Sequence, residues 1–260
     1  MIGKTRQATF RDGCGVLQHS PPSGPYSHLR FAPPADLADR IEHFWCESWQ
    51  FSTAQTREVV PHPCVHLALT TAGAIVVGVQ TARFHRELRG TGQIFGVKFR
   101  AGAFHSILRK PVCSIADKVL PAAQIFPSIE YLDRDGWPQA AADFLRATLP
   151  PPHAKSALAA QAVAEIVQDS SLHRVADLAA RVGIGERSLQ RLFRDHVGVS
   201  ARWVINRYRL FEALDKLDES ASLADLALSL GYFDQAHFTN DFTRSVGRAP
   251  SSYARHPQST

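Results

Sequence analysis

The chain has 260 residues, 45% hydrophobic and 20% charged, with a formal net charge of +5. That balance excludes a disordered tail, a collagen-like repeat and a disulfide scaffold, each of which needs a very different composition. At roughly 100 to 200 residues per domain the length fits one large domain or two small ones, and the basic excess suggests an anionic partner without locating it.

The opening Met1-Ile2-Gly3-Lys4-Thr5-Arg6 leads into polar residues, not an apolar core segment, so no secretory signal is expected and the chain is read as cytoplasmic. The most apolar run, Ala72 to Val79, is far shorter than the roughly 20 residues a membrane helix needs, so no membrane partner is expected. Cys14, Cys46, Cys64 and Cys113 lie far apart with no Cys-x-x-Cys pair, and they read as ordinary reduced thiols.

From residue 57 to about 110, short β-prone runs (Val59-Val60, Val65 to Leu69, Ala74 to Val79, Gln93 to Phe99) alternate with Pro, Gly and Thr-Ala-Gly turns. This predicts an antiparallel sheet, sandwich or barrel. Ile115 to Val119, Pro127 to Leu132 and Trp137 to Leu149 have helical spacing, Pro138 suiting a first turn, and read as helices appended to the sheet. Pro150-Pro151-Pro152 stops the last helix and holds the next residues extended, which places a domain boundary there. The expected fold is therefore two-domain α+β. Residues 1–150 form a β-barrel-like domain with appended helices, and 153–260 an all-α domain.

Within the second half a segment repeats. Ala176-Asp177-Leu178-Ala179 matches Ala224-Asp225-Leu226-Ala227, and Gly183-Ile184 matches Gly231-Tyr232, at an offset of 48. One inserted residue later, Leu189, Phe193, Val197 and Gly198 match Phe238, Phe242, Val246 and Gly247 at an offset of 49. Each copy has the layout of a helix-turn-helix, at about 173–198 and 222–247: a short helix, a glycine turn, and a second helix with apolar residues at i, i+3, i+4. The outward face of the first such helix carries Arg187, Gln190, Arg191 and Arg194, whose forked or bidentate donors suit base edges and phosphates, with Ser188 as a further candidate DNA contact. The second carries Gln235, His237, Thr239, Asn240, Thr243 and Arg244. Trp203 to Leu217 reads as an amphipathic linking helix, with Arg202, Arg207 and Arg209 away from its core face. Such a linker could hold the two reading helices about one DNA turn, roughly 34 Å, apart.

These residues, with Leu230-Gly231-Tyr232, Gln235-Ala236-His237-Phe238, Phe242, Gly247-Arg248-Ala249-Pro250 and Tyr253, resemble the AraC/XylS-type DNA-binding domain over roughly the last 40% of the chain. The resemblance implies a transcription regulator, an activator in many such proteins, that binds double-stranded promoter DNA asymmetrically. By position it assigns base reading to Arg187, Gln190 and Arg191 in the first unit and to Gln235, Thr239 and Asn240 in the second. Asn240 departs from the pattern, where arginine is common, which makes the second set of contacts the less secure one. The strand-rich stretch Val60 to Leu67, Gly78 to Thr81 and Phe95 to Ala103 is similar to an uncharacterised amino-terminal domain found on some of these regulators. That similarity implies a small-molecule effector, a homodimer, or both, and RNA polymerase as a partner of an activator. No cofactor is implied.

Two clusters in the first half invite a site. His62, Cys64 and His66 alternate, as on one strand face, with His85 and His105 as further nitrogens, which fits a metal, an effector contact or a partly buried polar face. Phe44, Trp45, Trp49 and Phe51 near Glu42, His43 and Glu47 fit either an effector pocket or core. Trp45, Trp49, His62 and His66 are the candidate effector contacts. No nucleophile elbow, phosphate loop or zinc-protease motif is present, so no enzyme is expected. A cupin-like metalloenzyme domain fused to a DNA anchor is the alternative. Charge sharpens the picture: residues 1–154 hold 16 basic and 12 acidic side chains and residues 155–260 hold 13 and 12. Yet Glu186 to Arg209 sets six arginines against two acids, whereas Glu212 to Asp241 sets one lysine against seven acids. The first unit is therefore expected to anchor binding.

Overall fold

A computed structural model describes residues 16–17, 24–132, 136–217 and 222–253. Cys14, the segment through Arg6, and Asp218 and Glu219 of the acidic stretch lie outside them.

The first half is built on one antiparallel sheet of β1 (Val16–Leu17), β2 (Tyr26–Phe31), β3 (Ile41–Val59), β4 (His66–Thr70), β5 (Gly73–Val77), β6 (Phe84–Phe99) and β7 (Val119–Pro121). The order is β1-β3-β6-β4-β5-β7, with β2 also on β3, so the sheet is barrel-like only in the loose sense and does not close on itself among the described residues. The spine is the long pair β3 and β6, broken by a register shift between Phe51 and Gln55. Cross-strand register explains two glycines of β6. Gly96 lies opposite Trp45 and Gly92 opposite Trp49, and a Cβ at either would fall inside the facing indole ring. Gly96→Ala is therefore expected to lower stability by about 1–3 kcal/mol through overpacking. A denaturant midpoint matching that of the unaltered chain would contradict this packing role.

The segments after β6 differ from expectation in part. Ile115 to Val119 is not a helix: a 3-10 turn over Val112–Ile115 ends there, and Val119 opens β7, which pairs with β5. Pairing with the sheet edge overrides the local helical spacing. Pro127 to Leu132 contains only a 3-10 turn at Ile129–Tyr131. The third segment is helical, α2 (Gln139–Thr148), after the short α1 (His105–Leu108).

Beyond the prolines the chain is helical: α3 (Ser156–Gln168), α4 (Val175–Arg181), α5 (Glu186–Leu192), α6 (Ala201–Lys216), α7 (Leu223–Ser229), α8 (Gln235–Val246) and α9 (Pro250–Tyr253). One buried apolar cluster runs from Leu37 and Phe44 of the sheet through Leu145 of α2 to Leu178, Phe193 and Ile205, so the core is continuous across Pro150–Pro152. A second cluster joins Leu17 and Val60 to Phe211, Phe238, Phe242 and Tyr253.

The internal repeat is visible in hydrogen bonds. Ile184 N–H donates to Ala179 and Tyr232 N–H to Ala227, each closing the turn after a short helix, and Gly183 and Gly231 share φ of +72°. A side chain with Cβ is disfavoured in that left-handed conformation, which is why glycine recurs at both. The inserted residue lies in the second turn, where Tyr232-Phe233-Asp234 replaces Ile184-Gly185 ahead of the longer helix. After α5 the chain continues through a π-helical turn, Phe193–Val197, to Gly198.

Candidate functional site: two exposed helix faces and an internal cavity

On α5 and its extension, Leu189, Leu192 and Phe193 are buried, whereas Arg187, Ser188, Gln190, Arg191 and Arg194 are exposed. Arg194 pairs with its neighbour Asp195 at 3.1 Å, while Arg187 and Arg191 have no ion-pair partner among the described residues. On α8, Phe238, Phe242 and Val246 are buried, Gln235, His237, Asn240 and Arg244 are exposed, and Thr239 is half-buried. Asp234 caps α8 by accepting from His237 N–H at 2.7 Å, a stronger stop than Gly185 gives α5. Just ahead of α8, Phe233 is 88% exposed, a large apolar ring on the same rim that sequence spacing did not single out. The aromatic residues of the diagnostic motif are core: Tyr232, Phe238, Phe242 and Tyr253 form a chain of ring contacts 5.3 to 6.0 Å apart.

The linking helix corrects the charge reading. Arg207 and Arg209 are buried, 6% and 7% exposed, not on outward faces. Arg207 donates to the Thr81 carbonyl at 2.9 Å and lies over Trp203, and burial lowers its pKa to about 10. Arg209 lies over Tyr232. Of the six arginines between Glu186 and Arg209, these two hold the fold together.

The first half holds a half-open cavity of about 520 Å³, lined by residues of β2 to β6 and of the segment between β3 and β4 that include His28, Arg30, His43, Trp45, Glu47, Arg57, His62, Cys64, His66, Arg86 and Lys98. Trp45, His62 and His66 line it; Trp49 does not, and its indole instead donates to the Arg89 carbonyl at 3.2 Å. The cationic lining residues Arg30, Arg57, Arg86 and Lys98 face one acid, Glu47, which accepts from Tyr26 at 2.7 Å and Arg86 at 3.4 Å. Lys98 pairs with Glu42 at 2.8 Å. Arg57, stacked 4.2 Å over the Tyr26 ring, keeps Nε and one terminal nitrogen buried with no hydrogen-bond partner, as do Trp45 Nε1, His62 Nε2 and His66 Nδ1. Burial holds the His62 imidazole well below its usual pKa and His66 at about 3, and it raises the Cys64 thiol to about 12. All three are thus neutral at physiological pH.

His62, Cys64 and His66 do not share a strand face, because β4 begins only at His66; Cys64 Sγ lies 3.4 Å from His66 Nε2. His85 pairs with Glu58 at 3.2 Å, and His105 sits elsewhere, beside His153 and His196. Sequence spacing joined His105 to the wrong partners, since the contact to His153 and His196 depends on how the two halves pack.

The wall of the cavity is also the contact between the halves. His62 stacks on Phe211 of α6 with ring centroids 4.1 Å apart and meets Tyr208 edge-on. Arg83, one residue before β6, donates to the Val246 carbonyl at the end of α8 at 3.1 Å and to Glu58 at 3.0 Å.

These features define the class: a domain of two helix-turn-helix units preceded by an antiparallel-sheet domain. Residues 178–256 match the family described as a helix-turn-helix domain, and residues 29–121 match a domain of unknown function. The chain is similar to the transcriptional regulatory protein HptR of Staphylococcus aureus, 31% identical over 81 residues that cover 31% of this chain and 32% of the relative. It is also similar to the transcriptional activator RhaS of Pectobacterium carotovorum, 34% identical over 76 residues, covering 29% of this chain and 27% of the relative. The chain thus spans about a third of the length of these curated relatives. Among solved structures, ToxT of Vibrio cholerae aligns over 92% of this chain and 99% of its own, at 10% identity and a TM-score of 0.40. The curated relatives are named as regulators of transcription, not as enzymes. No helix among the described residues is long and apolar enough to cross a membrane.

Proposed function

We propose that the chain is a sequence-specific DNA-binding transcription regulator whose first half, residues 1–150, senses a small anionic molecule and whose residues 153–260 read promoter DNA. The observation that carries it is the paired geometry of α5 and α8, each following the same glycine-closed turn and each turning a polar face outward. Arg187, Gln190 and Arg191 then read bases from the first helix and Gln235, Thr239 and Asn240 from the second, with Ser188, Arg194, His237 and Arg244 placed for phosphates. The test is mapping of genomic binding sites together with the salt dependence of binding, because phosphate contacts release counterions. Affinity for a mapped site that is indifferent to salt would contradict it.

The cavity supports the sensing role. Its volume suits a small ligand, and its excess of guanidinium and ammonium groups, with Arg57 unsatisfied, suits an anion with an apolar body such as a hydrophobic carboxylate. His62 joins that ligand to α6 through Phe211, and the segment holding Arg83 joins it to α8. A carboxylate that fits is expected to stabilise the full chain by about 2.7 kcal/mol at a hundredfold excess over its Kd, and Arg57→Gln to diminish the effect. Thermal shifts across matched pairs of carboxylates and their uncharged amides check this. Equal shifts from both members of each pair would argue against an anion site.

The metalloenzyme reading has no ligand set in the cavity. Among the described residues, the three-member group of metal-capable side chains whose ligand atoms approach one another is His105, His153 and His196, which the cavity does not contain.

A further inference from the structure

We propose that His105, His153 and His196 form a binding site for a borderline divalent transition ion of the zinc class, clamping the end of the first reading helix to the amino-terminal half. The three come from distant places: His105 opens α1, His153 follows the proline run, and His196 lies in the π-helical turn that extends α5. One nitrogen from each lies within 4.8 Å of the others. The ring centroids are 4.2 Å apart for His105 and His196, 4.7 Å for His105 and His153, and 4.8 Å for His153 and His196.

Two chemical features favour an ion over mere packing. First, His105 Nδ1 and His196 Nδ1 are buried with no hydrogen-bond partner, an arrangement that normally calls for a ligand or a proton donor. Second, His196 is only 3% exposed, so water does not satisfy the nitrogen that the protein leaves unpartnered there. His153 Nδ1 accepts from Lys155 N–H at 3.1 Å, so in the unbound ring Nε2 carries the proton, and ligation through Nε2 moves that proton to Nδ1 at the expense of this hydrogen bond. Asp195 supplies a nearby negative charge and Lys155 an opposing positive one. Zn–N bonds of about 2.0–2.1 Å need nitrogens roughly 3.3 Å apart, so the nitrogens close in by ~1.5 Å at most, and His105 and His196, stacked 20° from parallel, turn so that their in-plane lone pairs meet at the ion. Three imidazoles leave a fourth position for water, and nitrogen donors disfavour magnesium and calcium.

The site is separate from the cavity, and ion binding itself requires nothing of DNA; only the clamping role rests on the proposed reading. The experiment uses the full untagged chain, stripped with chelator, and titrates Zn²⁺ against a chromophoric competitor, with Co²⁺ absorption reporting the ligand field. One ion per chain is expected, with a visible cobalt spectrum of low coordination number. His153→Ala, a change at an exposed loop residue, should weaken zinc binding at least tenfold, whereas His85→Ala should leave it unchanged. Absence of stoichiometric binding at micromolar zinc, or equal affinity in the His153→Ala and unaltered chains, would overturn the proposal. If zinc binds as expected but operator affinity does not respond to it, the site stands and only its clamping role falls.

Discussion

Replacing Arg187 and Arg191 together by alanine is expected to lower affinity for the operator by about 2–6 kcal/mol, taking about 1–3 kcal/mol for each base contact and treating the two as additive. Both side chains are exposed on α5 and neither is tied up in an ion pair among the described residues, so removing them leaves no buried group unsatisfied. The loss should therefore appear in binding and not in folding, and base preference should relax at one end of the site. Arg207→Ala makes the contrast. That guanidinium is buried against Trp203 and bonded to Thr81, so its removal should lower the unfolding midpoint first. A binding selection on randomised sites decides the matter, and base preference unchanged in the double variant would remove Arg187 and Arg191 from the reading role.

Acidification is expected to destabilise the chain by several kcal/mol between pH 7 and 4. His28, His43, His62 and His66 line one cavity, and burial lowers the pKa of each, with the neighbouring Lys98 and Arg30 adding to the effect on His43, His62 and His66. In the unfolded chain the same imidazoles titrate near 6.5. The folded values lie below the unfolded one, so the unfolded chain takes up protons first. The stabilisation is complete above about pH 6.5 and disappears as pH falls towards the folded values, at about 1.4 kcal/mol for each pKa unit on each group. An anion bound beside these rings should favour their protonated forms and so offset part of the loss. Urea midpoints measured at half-unit steps of pH report the slope, and equal stability at pH 7 and pH 5 would show that these imidazoles are not held neutral.

The carboxy-terminal units were legible because their signals are local. A repeat, a glycine needing positive φ and an i, i+3, i+4 pattern all lie within one short segment, and the exposed and buried positions of α5 and α8 fall as that pattern dictates. The sheet was only partly legible. Short runs such as Val65 to Leu69 announced themselves, but β2 and most of β3 did not, because Glu47, Gln50 and Arg57 interrupt the apolar alternation. Their places are set by pairing with β6 and by the cavity they surround. Arg207 and Arg209 were misplaced for a similar reason. A helical wheel identifies the apolar stripe of α6 but does not reveal that the first half covers a second side of it. His153 and His196 carried no signal at all, since their meeting with His105 exists only once the two halves are packed.

Equivalent points of the two repeated units are gripped by the same half of the molecule. A Cβ on Gly198, which follows the first reading helix, would lie 2.9 Å from Val112, and Gly247, which follows the second, lies beneath the Arg83 guanidinium. Each of these two helices thus meets the first half at its carboxy-terminal end. At 12 residues and about 1.5 Å per residue, α8 is a lever of ~18 Å, so a tilt of about 5° at Gly247 would sweep its tip by roughly 1.6 Å. That exceeds the tolerance of a hydrogen bond, so on the proposed reading a tilt of that size at Gly247 would break a contact between α8 and a base edge.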